Sequence, residues 1–227
     1  MDTVSNSQSP LKQAEAFEFS FRLRDPLPGN ARKCVLLLHG VGGNELNLVD
    51  LAAGIDQDTL VVFPRGPLSI APNQFAWFRV VFTANGPSIV EAEAENSRRR
   101  MIRFVEQLQL AYGIQPENTV IAGFSQGGIL SASVALSAPE RVDGFAILSG
   151  RILPELKPHL ANRERLAHLR GFVGHGQYDR TLPVMWSLRA DHWLTDLGVR
   201  HVTRHYPIGH EISSAMQAEF LEWLEHE

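Results

Sequence analysis

Val120-Ile121-Ala122-Gly123-Phe124-Ser125-Gln126-Gly127-Gly128 runs from a short apolar stretch, through a Gly-x-Ser-x-Gly turn, into a run of small residues. A continuous apolar run predicts a strand covered on both faces, and the small residues after it predict a helix. A turn that passes from strand straight into helix holds its serine in a strained backbone conformation and pushes Oγ into the open. Side chains two residues to either side would collide, so glycine is required at 123 and 127. The amide of Gln126 then opens the helix and, with the helix dipole, points at any oxyanion forming beside the serine.

The same alternation continues on both sides of this turn. Apolar runs at 35–38, 60–63, 145–148 and 172–173 predict further buried strands, and Val199 to Tyr206 predicts another. Helices are expected over 46–53, 91–112, 127–138 and 184–197, and at the C-terminus. Met101, Val105, Leu108 and Tyr112 form one stripe, and Gly113 ends that helix. Phe17, Phe19, Phe21 and Leu23 alternate with polar residues, which predicts an edge strand that could pair across a homodimer. Residues 64–90 are rich in Pro and Gly and read as a long irregular segment of the kind that carries function. Strands alternating with helices imply a mostly parallel sheet between helical layers. Residues 1–16 read as a flexible N-terminal segment and 17–227 as a single domain.

A serine hydroxyl needs a base, and the base an orienting carboxylate, in the order Ser, Asp or Glu, His. Both should sit on loops after later strands. Gly176-Gln177-Tyr178-Asp179 and Gly209-His210-Glu211 meet that condition, so Ser125, Asp179 and His210 are the expected triad. Asp191 lies within a helix and Asp196 ahead of a strand, which makes them poorer orienters, and Glu211 is expected to cap or charge the last helix. The loop His39-Gly40-Val41-Gly42-Gly43-Asn44 should supply a second oxyanion donor, the Val41 amide, beside that of Gln126. His39 is expected to order this loop rather than react.

Composition limits the alternatives. With 21 Lys and Arg against 25 Asp and Glu, the 227-residue chain carries a net charge of −4, which gives no support to a protein built to hold nucleic acid. Its one cysteine, Cys34, cannot form an internal disulfide or supply a cysteine-rich metal site, and reads as a small buried hydrophobe. A dinucleotide reading of the Gly40 loop fails because Glu45 stands where the third glycine belongs. His201 and His205 lack a third ligand at a metal-site spacing. Arg98, Arg99 and Arg100 follow Glu91, Glu93 and Glu95, as on a solvated helix face. No leader pattern or bilayer-length apolar run is visible, so a cytoplasmic protein without cofactor or metal is expected.

From about Cys34 onward the chain resembles the α/β-hydrolase superfamily, and within it the small phospholipase/carboxylesterase branch that includes acyl-protein thioesterases and lysophospholipases. LLLHGVGGNE, FPRGP, AWF at 76–78, GFSQGG, LSG at 148–150, HGQYDRTLP and YPIGHEIS occur in the order of that family. The resemblance implies an α/β-hydrolase fold without a large lid domain, the triad Ser125, Asp179 and His210, and an oxyanion hole at Val41 and Gln126. It implies hydrolysis of a small-molecule ester through an acyl-enzyme. With no lid insertion, short to medium acyl chains are expected, in a pocket lined by Leu68, Phe75, Trp77 and Phe78. Thioesterase and lysophospholipase activities use the same machinery. A catalytically inactive binding protein is the alternative outside enzymes. The chain departs from the family pattern at Arg180, where proline is frequent, and at Pro207-Ile208 ahead of Gly209-His210.

Overall fold

A computed structural model describes residues 7–12, 16–83 and 86–226. Strands β1 (Ser7–Gln8), β2 (Phe21–Asp25), β3 (Lys33–Leu38) and β4 (Thr59–Pro64) are followed by two hairpins, β5 (Leu68–Ala71) with β6 (Gln74–Ala76) and β7 (Val80–Thr83) with β8 (Gly86–Ile89). Then come β9 (Thr119–Phe124), β10 (Gly144–Leu148), β11 (Arg170–Gly176) and β12 (Arg200–Tyr206). Eight strands form one sheet in the order β1-β2-β4-β3-β9-β10-β11-β12. The pairs β1–β2 and β2–β4 are antiparallel, and the remaining neighbours are parallel.

Because side chains alternate across a strand, each central strand feeds two cores. Cys34, Leu36 and Leu38 of β3 face one and Val35 and Leu37 the other. The first core is covered by α1 (Glu91–Tyr112), α2 (Gln126–Ser137), α3 (Arg163–Leu166) and α4 (Met185–Leu197), through residues such as Met101, Leu130, Leu166 and Leu194. The second is covered by α5 (Ser214–Glu225), with Met216 and Phe220, and by a 3₁₀ turn at Asp50–Gly54. On α1 the buried stripe is Met101, Phe104, Val105 and Leu108, and Gly113 closes the helix at φ 67°. Each fully buried Leu or Phe contributes about 1.5–3 kcal/mol. α2 is buried on all sides, which its small residues allow.

Several expectations change. The segment over 46–53 forms only the 3₁₀ turn at 50–54. Residues 64–90 contain the two hairpins, and Asn73, at φ 57°, makes the first turn. Strand β2 begins at Phe21, and Phe17 and Phe19 precede it as core side chains packed edge-on against Phe104. β2 is not a free edge, since β1 pairs along it and Lys12 bridges Phe21. Of the N-terminal segment, residues 1–6 and 13–15 lie outside the described residues. The arginine run is more than a solvated face: Arg100 and Arg103 reach Glu18, and Arg98 donates to Ser137 on α2. Among the described residues, no helix is long and apolar enough to cross a membrane.

Candidate active site

Ser125, Asp179 and His210 follow β9, β11 and β12, so all three stand at the C-terminal rim of the parallel strands, where α/β sheets place ligands. Ser125 caps α2 at φ 52° and ψ −114°. Its amide donates to the Leu148 carbonyl (2.8 Å), which holds the turn against β10. The glycine requirement is borne out in distances. A Cβ on Gly123 would lie 2.3 Å from the Gly127 carbonyl carbon, and one on Gly127 would lie 2.0 Å from the Leu38 carbonyl oxygen. Gly176 plays the equivalent part between the acid and histidine loops, since a Cβ there would lie 2.1 Å from the Gly209 carbonyl oxygen.

The three side chains form a chain of hydrogen bonds. Ser125 Oγ lies 3.0 Å from His210 Nε2, and His210 Nδ1 lies 2.7 Å from Asp179 Oδ2. The other Asp179 oxygen accepts from the amides of Thr181 and Leu182, at 2.8 Å each. A carboxylate so supplied with donors is fixed in orientation. Phe124 packs its ring 4.9 Å from the imidazole of His210, whose side chain remains one-fifth exposed. Proton transfer from Oγ to Nε2 is therefore open, with the imidazolium stabilised by Asp179.

His175 was not singled out from the sequence. It is fully buried, donates from Nε2 to the Leu182 carbonyl (2.7 Å) and lies 3.4 Å from Asp179 Oδ2. Burial lowers its pKa, so it stands beside Asp179 as a neutral ring whose one N–H is taken by the Leu182 carbonyl. The only signal was its place four residues ahead of Asp179. Glu211, expected to cap the last helix, lies outside it. Ser213 is the cap, its Oγ accepting from the Met216 amide, because a short hydroxyl at that position reaches the free amide and a carboxylate two residues earlier does not.

The loop after β3 is pinned from below. Gly42, at φ 79°, donates its amide to the Phe75 carbonyl (2.9 Å), and Phe75 donates back to Gly43 (2.8 Å). His39 Nε2 accepts from the Gly66 amide, so Nδ1 carries the hydrogen and donates to the Gly40 carbonyl (2.7 Å). Gln126 has a role the sequence did not reveal. Its side chain accepts from the Trp77 amide and donates to the Phe78 carbonyl, both at 2.7 Å. Glu45, which spoiled the dinucleotide reading, is buried in an ion network with Arg22 and Arg65.

This network sets an expected acid response. Burial holds the His39 pKa down at about 4. The unfolded chain takes up a proton below about 6.5 that folded His39 refuses, so stability falls as pH drops from there to about 4, by roughly 3 kcal/mol. Glu45 acts lower. Burial raises its pKa, but hydrogen bonds, first from Arg65, outweigh this and hold it at about 2. Its contribution is complete above about 4.5 and is lost as pH falls through 2. Urea unfolding at pH 7, 5 and 3.5 is expected to show a continuous decline. His39→Gln is expected to flatten the slope between pH 6.5 and 4, and an unchanged slope would contradict this account.

Two cavities share Gly40, Phe124 and His210 on their walls. One, of about 240 Å³, has Ser125, Gln126 and His210 on its wall together with Phe78, Val80, Ile89, Ile129 and Leu182. The other, of about 520 Å³, runs from His210 along Gly40–Gly43 towards Asn47 and Asp50. Val41 borders both. Of the four expected pocket residues, Phe78 alone lines the first cavity. Trp77 is fully buried behind the wall, its indole donating to the His39 carbonyl. Phe75 bridges Gly43 under the Arg65 guanidinium, and Leu68 pairs with Ala76 in the β5–β6 hairpin. None of these three lines either cavity, because each is engaged in holding the hairpin and the loop after β3. Arg180 is exposed and outside that wall, which carries Arg151 instead. His201 bonds Asp191 and the Val199 carbonyl, and His205 bonds Ser187. A larger cavity, of about 560 Å³, opens at the opposite end of the sheet among charges of both signs, including Lys33, Asp143 and Arg170.

The phospholipase/carboxylesterase family model matches residues 28–226. The chain belongs to that family. It is a serine ester hydrolase of α/β-hydrolase fold. Acyl-protein thioesterase 1 of Kluyveromyces lactis is 30% identical over 172 residues, covering 70% of this chain and 75% of that protein. A probable carboxylesterase of Arabidopsis thaliana, SOBER1-like, is 29% identical over 224 residues, covering 90% of this chain and 81% of its own. The crystal structure of a carboxylesterase from Mesorhizobium loti superposes with a TM-score of 0.82 at 25% identity, covering 96% of this chain and 99% of that one. Esterase or thioesterase activity is common ground among these relatives.

Proposed function

We propose that the enzyme hydrolyses short- to medium-chain carboxylic esters through an acyl-enzyme on Ser125. The observation that carries this is the continuous Ser125–His210–Asp179 hydrogen-bond chain, at 3.0 and 2.7 Å, beside an apolar cavity of about 240 Å³. His210 takes the Ser125 proton as Oγ attacks the acyl carbonyl. The amides of Val41 and Gln126 receive the developing oxyanion, and His210 returns the proton to the departing alcohol. Water, activated by the same imidazole, then releases the acid. A cavity of this size, walled by Val80, Ile89, Ile129 and Leu182, favours modest acyl chains over long ones. The more open arm beside Gly42 and Asn47 takes the leaving group. The same machinery serves a thioester, and a panel of oxygen esters, thioesters and lysolipids separates these substrates. The direct test is a fluorophosphonate probe. Wild type is expected to label on the peptide carrying Ser125 and Ser125→Ala not at all. Labelling that survives in the variant, or none in wild type, would remove the proposal.

A further inference from the structure

We propose that Arg151 recognises a carboxylate carried on the acyl chain of the substrate, so that the enzyme prefers esters of short dicarboxylic acids. This deepens the esterase reading and rests on it. Arg151 follows the Leu148-Ser149-Gly150 strand end. Gly150 approaches the nucleophile turn so closely that a Cβ there would lie 2.9 Å from the Ser125 carbonyl oxygen. The next residue is thereby delivered to the cavity wall, which Arg151 shares with Ser125, Ile129 and Leu182.

Arg151 is 7% exposed, and its guanidinium lies over the Trp186 ring, 4.5 Å from the centroid. Among the described residues that guanidinium makes no hydrogen bond and no ion pair, and its Nε is buried without a partner. The other buried arginines differ. Arg24 donates to the carbonyls of Ala52, Ile55, Asp56 and Thr59. Arg170 donates to Asp143 and to the carbonyls of Trp223 and His226. A guanidinium carries five N–H donors, and leaving them buried and unpaired is costly. A fold that gives the Arg24 and Arg170 guanidinium groups several acceptors each and leaves that of Arg151 facing a cavity with none has kept its donors for a ligand. Glu155, the acid whose field reaches Arg151, is itself exposed. The surrounding wall is largely apolar, so the ligand brings a hydrocarbon segment as well as an anion. One positive charge balances a carboxylate monoanion, whereas a phosphate dianion would leave surplus charge in the pocket.

The test compares 4-nitrophenyl hydrogen adipate with 4-nitrophenyl hexanoate, which share a six-carbon acyl chain and differ in the terminal carboxylate. Wild type is expected to favour the adipate in kcat/KM by about 10- to 100-fold, the worth of a charge-assisted bond. Arg151→Met is expected to bring the two substrates to parity or reverse them. Arg151→Lys, which keeps the charge and loses the fork, is expected to retain part of the preference. Equal or better turnover of hexanoate by wild type overturns the proposal, as does a preference that survives in Arg151→Met. A phosphonate-terminated ester preferred over the adipate overturns the assignment to carboxylate. Absence of turnover on both esters, together with absence of fluorophosphonate labelling, would instead sink the esterase reading beneath it.

Discussion

Ser125→Ala is expected to lower kcat for 4-nitrophenyl esters by about 10⁵-fold or more, because removing the nucleophile of a triad abolishes the covalent route and leaves only binding and oxyanion stabilisation. The fold should not change. The strained φ of 52° is held by the turn itself, through the Ser125 amide on the Leu148 carbonyl and the packing of Gly123 on Gly127, and alanine keeps the same Cβ. A melting temperature within a few degrees of wild type is the control. The structure also supplies a comparison serine. Ser149 shares the positive φ, at 51°, but it is fully buried and its hydroxyl bonds the Glu211 carbonyl at 3.4 Å. Strain alone therefore does not make a nucleophile here; an imidazole within reach and an open cavity do. Ser149→Ala is the matched control and should keep the fluorophosphonate label on Ser125. Turnover by Ser125→Ala above about one hundredth of wild type would mean that another group attacks the substrate.

What the sequence disclosed and what it hid divide along a physical line. The grouping of Ser125, Asp179 and His210 was legible because each sits in a local pattern, a glycine-flanked turn or a strand end, whose geometry its neighbours determine. Even the glycine at 127 could be argued from sterics before a distance was known. The substrate wall was not legible, because it is assembled from distant pieces: Val80 and Ile89 from the β7–β8 hairpin, Ile129 from α2, Arg151 after β10, and Leu182 after the acid loop. Nothing in 64–90 signals a hairpin except short apolar alternation, and a Pro- and Gly-rich composition masks it. Trp77 was misread for a definite reason. An aromatic residue in a functional loop reads as pocket lining, yet its indole N–H serves the His39 carbonyl and its amide serves Gln126. The tryptophan, Gln126 and His39 thus form one buried polar frame that holds the loop after β3 against the helix carrying the nucleophile turn.

Asp179→Asn is expected to cost about 10³- to 10⁴-fold in kcat while leaving the loop folded, the second largest effect. Asp179 is held by two amide donors on Oδ1, from Thr181 and Leu182, and an asparagine oxygen can take both of those bonds. Its amide nitrogen then faces His210 Nδ1, 2.7 Å away in the wild-type geometry. Two donors cannot face each other there, so Nδ1 must lose its hydrogen and the imidazole must carry it on Nε2. That nitrogen is the one 3.0 Å from Ser125 Oγ, and with a hydrogen on it it can no longer accept the serine proton. The defect is therefore one of tautomer, and it predicts a particular signature. Activity in Asp179→Asn should rise with pH well beyond the range in which wild type has levelled off, as hydroxide takes over the work of the base, and KM should change little because the substrate wall is untouched. A variant that kept wild-type kcat and pH dependence would show that the carboxylate neither orients nor stabilises His210.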